Sequence, residues 1–274
     1  MLDVMTQAKN AIESYNEALK VSSANIANMN VSGYKRLDIS FQSIFEKVLT
    51  QGTAADGNLG GTNPRQFGQG MSIASTNLDF SGGETTSGSS LDLAISGNGL
   101  FIVSPDGGLS QLYTRAGNFQ VDANGNLLSN NMQVYGFDGS GNLTPITGLP
   151  SGNKTNYRWL ADGTLEYSSD PTAATPVYTG TGYRIALTYF SNPAGLVQAQ
   201  GTAFAATLAS GSAATPQSPG GPVGSLKPGQ IEQSNVNYLN ESISSLEIQR
   251  AMNSNLTMLK MASDLISNFI SKLG

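Results

Sequence analysis

Met1–Arg36 reads MLDVMTQAKNAIESYNEALKVSSANIANMNVSGYKR, and its spacing decides how the rest of the chain is organised. Met5, Ala8, Ile12, Tyr15, Leu19 and Ile26 recur three and four residues apart, with Ser22 in the one gap. This is the seam of an amphipathic helix. Asn25, Asn28, Asn30 and Gly33 then end it, followed by Tyr34 and Lys35. A single short seam is not stable alone, because nucleation is costly and most helical stability comes from packing. It calls for a partner helix, and the other long helical pattern lies at the far end of the chain.

That second pattern opens with Leu239, Ile243 and Leu246, and polar Gln249 and Arg250 interrupt it. A second register follows through Met252, Leu256, Leu259, Ile266, Ile270 and Leu273, widened by Met258, Ala262, Leu265 and Phe269. The apolar face exceeds what one antiparallel partner would cover, so burial against further chains is expected.

Between the two ends the texture changes. Leu37–Leu49 fits a short strand (Ile39, Phe41) as well as a helical turn (Phe41, Ile44, Phe45, Val48), and 50–70 is glycine-rich and reads as a loop. From Met71 onward, short alternating runs such as Leu91, Leu93, Ile95 and Leu100–Val103 are separated by turn-forming stretches. Asp122-Ala-Asn-Gly-Asn126 and Asp138-Gly-Ser-Gly-Asn142 are two of these turns. The pattern predicts an antiparallel β domain. The expected fold class is α+β. Residues 1–36 and 234–274 form a coiled-coil-like assembly domain, 37–90 are linker and short strands, and 91–208 a β-rich outer domain with 138–182 as a small insertion. Residues 209–233, rich in Ser, Gly, Ala and Pro, read as an extended connector.

Composition narrows the chemistry. The chain has 274 residues, 12% charged, 39% hydrophobic, with 32 glycines and 11 prolines. Its net charge of −5 and 14 Lys and Arg supply no basic stripe for nucleic acid. Histidine and cysteine are absent, which removes the commonest general base, the commonest metal ligand and any disulfide framework. Met1-Leu-Asp-Val4 lacks the basic and apolar regions of a secretory signal, and no apolar run approaches the ~18 residues of a membrane span. Asp122, Asn124 and Asn126 imitate the start of a calcium loop, but Leu127 and Gln133 stand where a glycine and a bidentate acid are needed. Ser32-Gly-Tyr-Lys35 has serine–lysine spacing yet reads more simply as a helix-ending turn. No catalytic residue, cofactor or metal is expected. A monomeric, adhesin-like β domain using Trp159 and the tyrosines as a surface site is the rival reading.

Several blocks resemble the axial proteins of the bacterial flagellum, the rod and hook subunits. Ser23–Arg36 is similar to the signature of that family, with its Asn-x-x-Asn pair and Gly-Tyr-Lys ending. Leu91–Val103, Tyr113–Phe119, Phe190–Leu196 and Gln233–Asn237 are similar to further family blocks, in order along the chain. The resemblance implies a non-enzymatic building block whose terminal helices pack with many copies around an export channel. It makes Asn25, Asn28, Asn30, Gly33, Tyr34 and Lys35 the joint between tube wall and outer domain. It also implies export by the flagellar type III apparatus without a cleaved signal, and partners among rod, hook-cap and hook–filament junction proteins. Gly60–Gly70 resembles the corresponding segment of short, Gram-positive-type hook proteins, so hook is the first expectation and distal rod the alternative. One departure is Met252, where the family usually has an aromatic after Gln-Arg-Ala.

Overall fold

The computed structural model describes residues 2–44, 47–52, 54, 60–68 and 70–273. Helix α1 spans Leu2–Ala27 and helix α2 spans Tyr238–Leu273. Neither contains Gly or Pro, and Asp3 and Glu241 place negative charge in the first turns, where the helix dipole favours it. Strands and turns fill the chain between them, so the fold is α+β. Two compact units emerge: residues 1–26, 37–77 and 238–274, and residues 27–36 with 78–237. The chain therefore passes between units at 26–27, 36–37, 77–78 and 237–238.

The helical unit takes in more than helices. Leu37–Ser43 pairs with Met71–Leu78, and Lys47–Thr50 pairs antiparallel with Arg65–Phe67. The ambiguous 37–49 stretch is thus strand over 37–43 and 47–49, with Phe45 and Glu46 outside the described residues, and the described part of 50–70 includes the strand Arg65–Phe67. Helix α1 meets these segments through Ser14, whose Oγ donates to Asn10 O (2.9 Å) and lies 3.3 Å from Met71 O. Tyr15 packs edge-on to Phe41, ring centroids 6.0 Å apart.

The β-rich unit is built on one twelve-stranded sheet. Its backbone path runs Tyr157–Trp159, Thr164–Tyr167, Thr179–Ile185, Met132–Phe137, Leu100–Ser104, Leu112–Thr114, Ala203–Ala205, Val197–Gln200, each antiparallel to the next. Leu100–Ser104 is buried throughout, and Leu100–Val103 is accordingly a continuous apolar run rather than an alternating one. Phe101, Phe119 and Trp159 stack edge-to-face at 5.1 and 5.9 Å. Trp159, 3% exposed, donates its indole N–H to Leu91 O at 2.7 Å. It is a core residue and not part of an exposed surface site.

The structure specifies one expected segment and changes another. The segment 138–182 extends the main sheet through Tyr157–Trp159 and Thr164–Tyr167. The stretch 209–233 is not an extended connector: Ser225–Pro228 pairs with Leu93–Ser96, and Gln230–Glu232 pairs with Thr85–Ser87. Its few apolar side chains explain the difference. Val223 and Leu226 are buried in the core, and neighbouring strands take up the backbone hydrogen bonds that a polar composition suggests are left to water.

The two Asp-x-x-Gly-Asn turns are copies of each other. Asp122 accepts the amides of Asn124 and Asn126, both at 2.8 Å, and Asp138 accepts those of Ser140 and Asn142, both at 2.9 Å. Gly125 and Gly141 sit at φ 78° and 83°. The Asp122 carboxylate, which imitates a calcium ligand in sequence, is occupied in closing its turn, and Asp138 closes the second in the same way.

Candidate assembly site

Helix α1 buries Ala8, Ala11, Ser14, Ala18, Ser22 and Asn25, again three and four apart. Of the expected seam only Ala8 belongs to this row; Met5, Ile12, Tyr15, Leu19 and Ile26 are half-buried beside it. The buried row is made of Ala, Ser and Asn, all small side chains. Small side chains let the helix backbone come near its neighbours, and the larger ones flank that contact. A reading weighted by hydrophobicity selects the flanks.

Helix α2 shows one unbroken seam. Glu241, Ser245, Ile248, Met252, Asn255, Leu259, Ala262 and Ile266 alternate four and three apart and are buried or half-buried, while Gln249 and Arg250 point outward. The expected break into two registers is not present. At the near end, Ser22 Oγ donates to Glu241 Oε2 at 2.7 Å and lies 2.9 Å from Ser245 Oγ. Met252, Leu259, Ala262 and Ile266 are the expected residues that lie on this seam. Leu239, Ile243, Leu246, Leu256, Phe269 and Ile270 are all exposed, as are Met258, Met261 and Leu265. The Leu273 side chain lies outside the described residues.

The motif after α1 is divided between the units. Asn25, in the helical unit, imitates a strand: Leu37 N–H donates to its Oδ1 (3.0 Å), and its Nδ2 donates to Leu37 O (2.9 Å). The rest belongs to the β-rich unit. Asn28 O accepts from Val31 N–H (3.1 Å), and Asn30 is exposed. Gly33, at φ +70°, lies against the Ala116 backbone, where a Cβ would clash. Tyr34 is buried, and the Lys35 side chain is 0% exposed.

Lys35 Nζ donates to Glu232 Oε1 and to Ser81 O, both at 2.7 Å. Arg115 Nε stands 3.6 Å from Glu232 Oε2, and the Arg115 guanidinium also donates to Gly97 O. Gly83 N–H donates to Glu232 Oε1 at 3.2 Å. Burial holds both cations below their ordinary pKa, and Glu232 opposes the shift. Nearby, Asn235 accepts from Arg36 N–H and donates to Asp79 O, both at 2.8 Å. The cluster ties Lys35, the Asp79–Gly83 segment, Arg115 and the Glu232–Asn235 segment together. Reading the sequence missed Arg115 and Glu232. The signal was their position: Arg115 lies inside the Tyr113–Phe119 block, and Glu232 immediately precedes the Gln233–Asn237 block.

A chain that joins its terminal helices in one unit, leaves a broad apolar helix face outward and holds a buried ionic cluster in its β-rich unit has the features of an assembling subunit. Comparison with known proteins specifies the kind. Residues 94–144 match the model of the flagellar hook protein FlgE/F/G D1 domain, and residues 9–35 match that of the flagella basal body rod protein. A flagellar basal-body rod protein FlgG of Buchnera aphidicola subsp. Baizongia pistaciae is 31% identical over 271 residues, covering 97% of this chain and 98% of that one. The Bacillus subtilis protein of the same description is 29% identical over 274 residues, 99% of each. The flagellar hook protein FlgE of Helicobacter mustelae is 40% identical over 132 residues, 47% of this chain and 29% of that protein. The chain belongs to the flagellar rod and hook family, whose members are structural axial components of the flagellum.

Proposed function

We propose that the chain is a hook subunit that polymerises through its terminal helices into a tube, transmits torque from motor to filament and encloses the export channel. The observation that carries this reading is the row of exposed apolar residues on α2, from Leu239 to Ile270, which one partner helix leaves uncovered. Burial of such a face is the dominant favourable term in association. The hook assignment draws on the 40% identity to a hook protein and on the Gly60–Gly70 segment. A second reading, distal rod, draws on the rod proteins that align along the full length of the chain.

In either case the subunit leaves the cell through the flagellar export apparatus and contacts neighbouring rod, cap or junction proteins. Electron microscopy of polymer grown from the purified chain distinguishes the two: curved tubes are expected of a hook, straight rigid ones of a rod.

A further inference from the structure

The chain holds eight methionines and no cysteine, so methionine sulfur is its most readily oxidised side-chain atom. These sulfurs are not equally placed. Met132 is 1% exposed in the core of the β-rich unit, and Met5, Met29, Met71 and Met252 are half-buried. Among the described residues only Met258 and Met261 are exposed, at 47% and 55%. The one tryptophan, Trp159, is buried.

Both exposed sulfurs fall on the part of α2 that its own chain leaves uncovered. Met258, Met261, Leu265 and Phe269 follow one another three and four apart, so they form a single stripe along the helix. All four are exposed, and the stripe runs beside the inward seam of Asn255, Leu259, Ala262 and Ile266. Methionine suits such a contact, because its unbranched, polarisable side chain adapts to an irregular partner. The same sulfur is open to a peroxide. Its lone pair attacks one peroxide oxygen, the O–O bond breaks and an S–O bond forms. Sulfur is oxidised by two electrons, and the other oxygen leaves as water. The product places a polar, chiral sulfoxide in the apolar stripe.

We propose that Met258 and Met261 form a redox-sensitive site on the assembly face: oxidation by hydrogen peroxide blocks polymerisation, and reduction of the sulfoxides restores it. The site rests on the polymer reading above and acts on the free subunit, since neighbouring copies cover the stripe in the polymer. It requires no change of fold, because both side chains already meet solvent in the single chain.

The full-length chain treated with hydrogen peroxide before and after assembly, with sulfoxides mapped by peptide mass spectrometry, tests this. In the free chain Met258 and Met261 should oxidise first and Met132 last, and in polymer the first two should be protected. The oxidised chain should keep its circular dichroism. Its critical concentration for assembly should rise roughly tenfold, the order expected when the burial of a large apolar side chain is lost. Methionine sulfoxide reductases for both epimers should return it to the starting value. For the Met258→Leu/Met261→Leu variant, the critical concentration after the same dose should match its own value before it, whatever that value is. Assembly at an unchanged critical concentration with both sulfoxides present overturns the site and leaves the polymer reading standing. Oxidation that begins elsewhere does the same, as does equal sensitivity of the double variant. Untreated wild-type chain that forms no polymer overturns both.

Discussion

Glu232 is the residue on which the β-rich unit's charge balance turns. It accepts from Lys35 and faces Arg115, so removing its charge leaves two buried cations without their carboxylate. Breaking a buried pair from one side costs about 3–5 kcal/mol. Glu232→Gln should therefore lower unfolding stability by that order in urea titration, and a loss below about 1 kcal/mol would show the cluster to be incidental. The turn carboxylates give a pH signature. The backbone amide of Asn126 is the main cause holding Asp122 below its ordinary 3.8, and that of Asn142 does the same for Asp138. A depressed folded-state pKa contributes stability above the unfolded value and loses it as pH falls through the folded one. Replacing both with asparagine should lower the melting temperature at pH 7 and leave it nearly unchanged at pH 2. Equal losses at both values would contradict the assignment.

The helices show where sequence reading is strong and where it fails. Their existence and ends were legible because a three-and-four period over more than twenty residues has no other common reading. Which face turns inward was not. Periodicity fixes spacing, but the phase depends on what each face meets, and α1 packs through Ala8, Ala11, Ser14, Ala18 and Ser22. Weighting by hydrophobicity places the seam one position away, on residues that are only half-buried. The same limit hid the strands at Ser225–Pro228 and Gln230–Glu232, whose turn-like composition gives no local signal until Leu93–Ser96 and Thr85–Ser87 supply partners. Lys35 was legible by its motif, yet its carboxylate partner Glu232 lies about two hundred residues away and the cluster's second cation, Arg115, about eighty, and spacing carries no information at that range. The corrected face is testable. Ala18→Leu should cost about 1–3 kcal/mol by overpacking, read as a fall in urea midpoint. Ile243→Asp with Leu265→Asp, both at exposed positions, should leave the monomer's circular dichroism unchanged and abolish assembly. If the exposed pair unfolds the chain instead, the outward face has been misassigned.

Over the whole molecule, the two units divide the work. The β-rich unit has its own core and its own ionic cluster, and takes 27–36 and 78–237 from the chain. The helical unit has an apolar surface that its own chain does not cover. Deleting 240–274 should therefore leave a soluble chain with the β-sheet signature intact and no polymer. The central claim is that the exposed face of α2 is a polymerisation surface, and negative-stain electron microscopy of the purified full-length chain, raised stepwise in concentration, tests it most directly. Tubes with a central channel above a critical concentration are the expected result. A chain that stays monomeric at every concentration while both helices remain fully formed would contradict it.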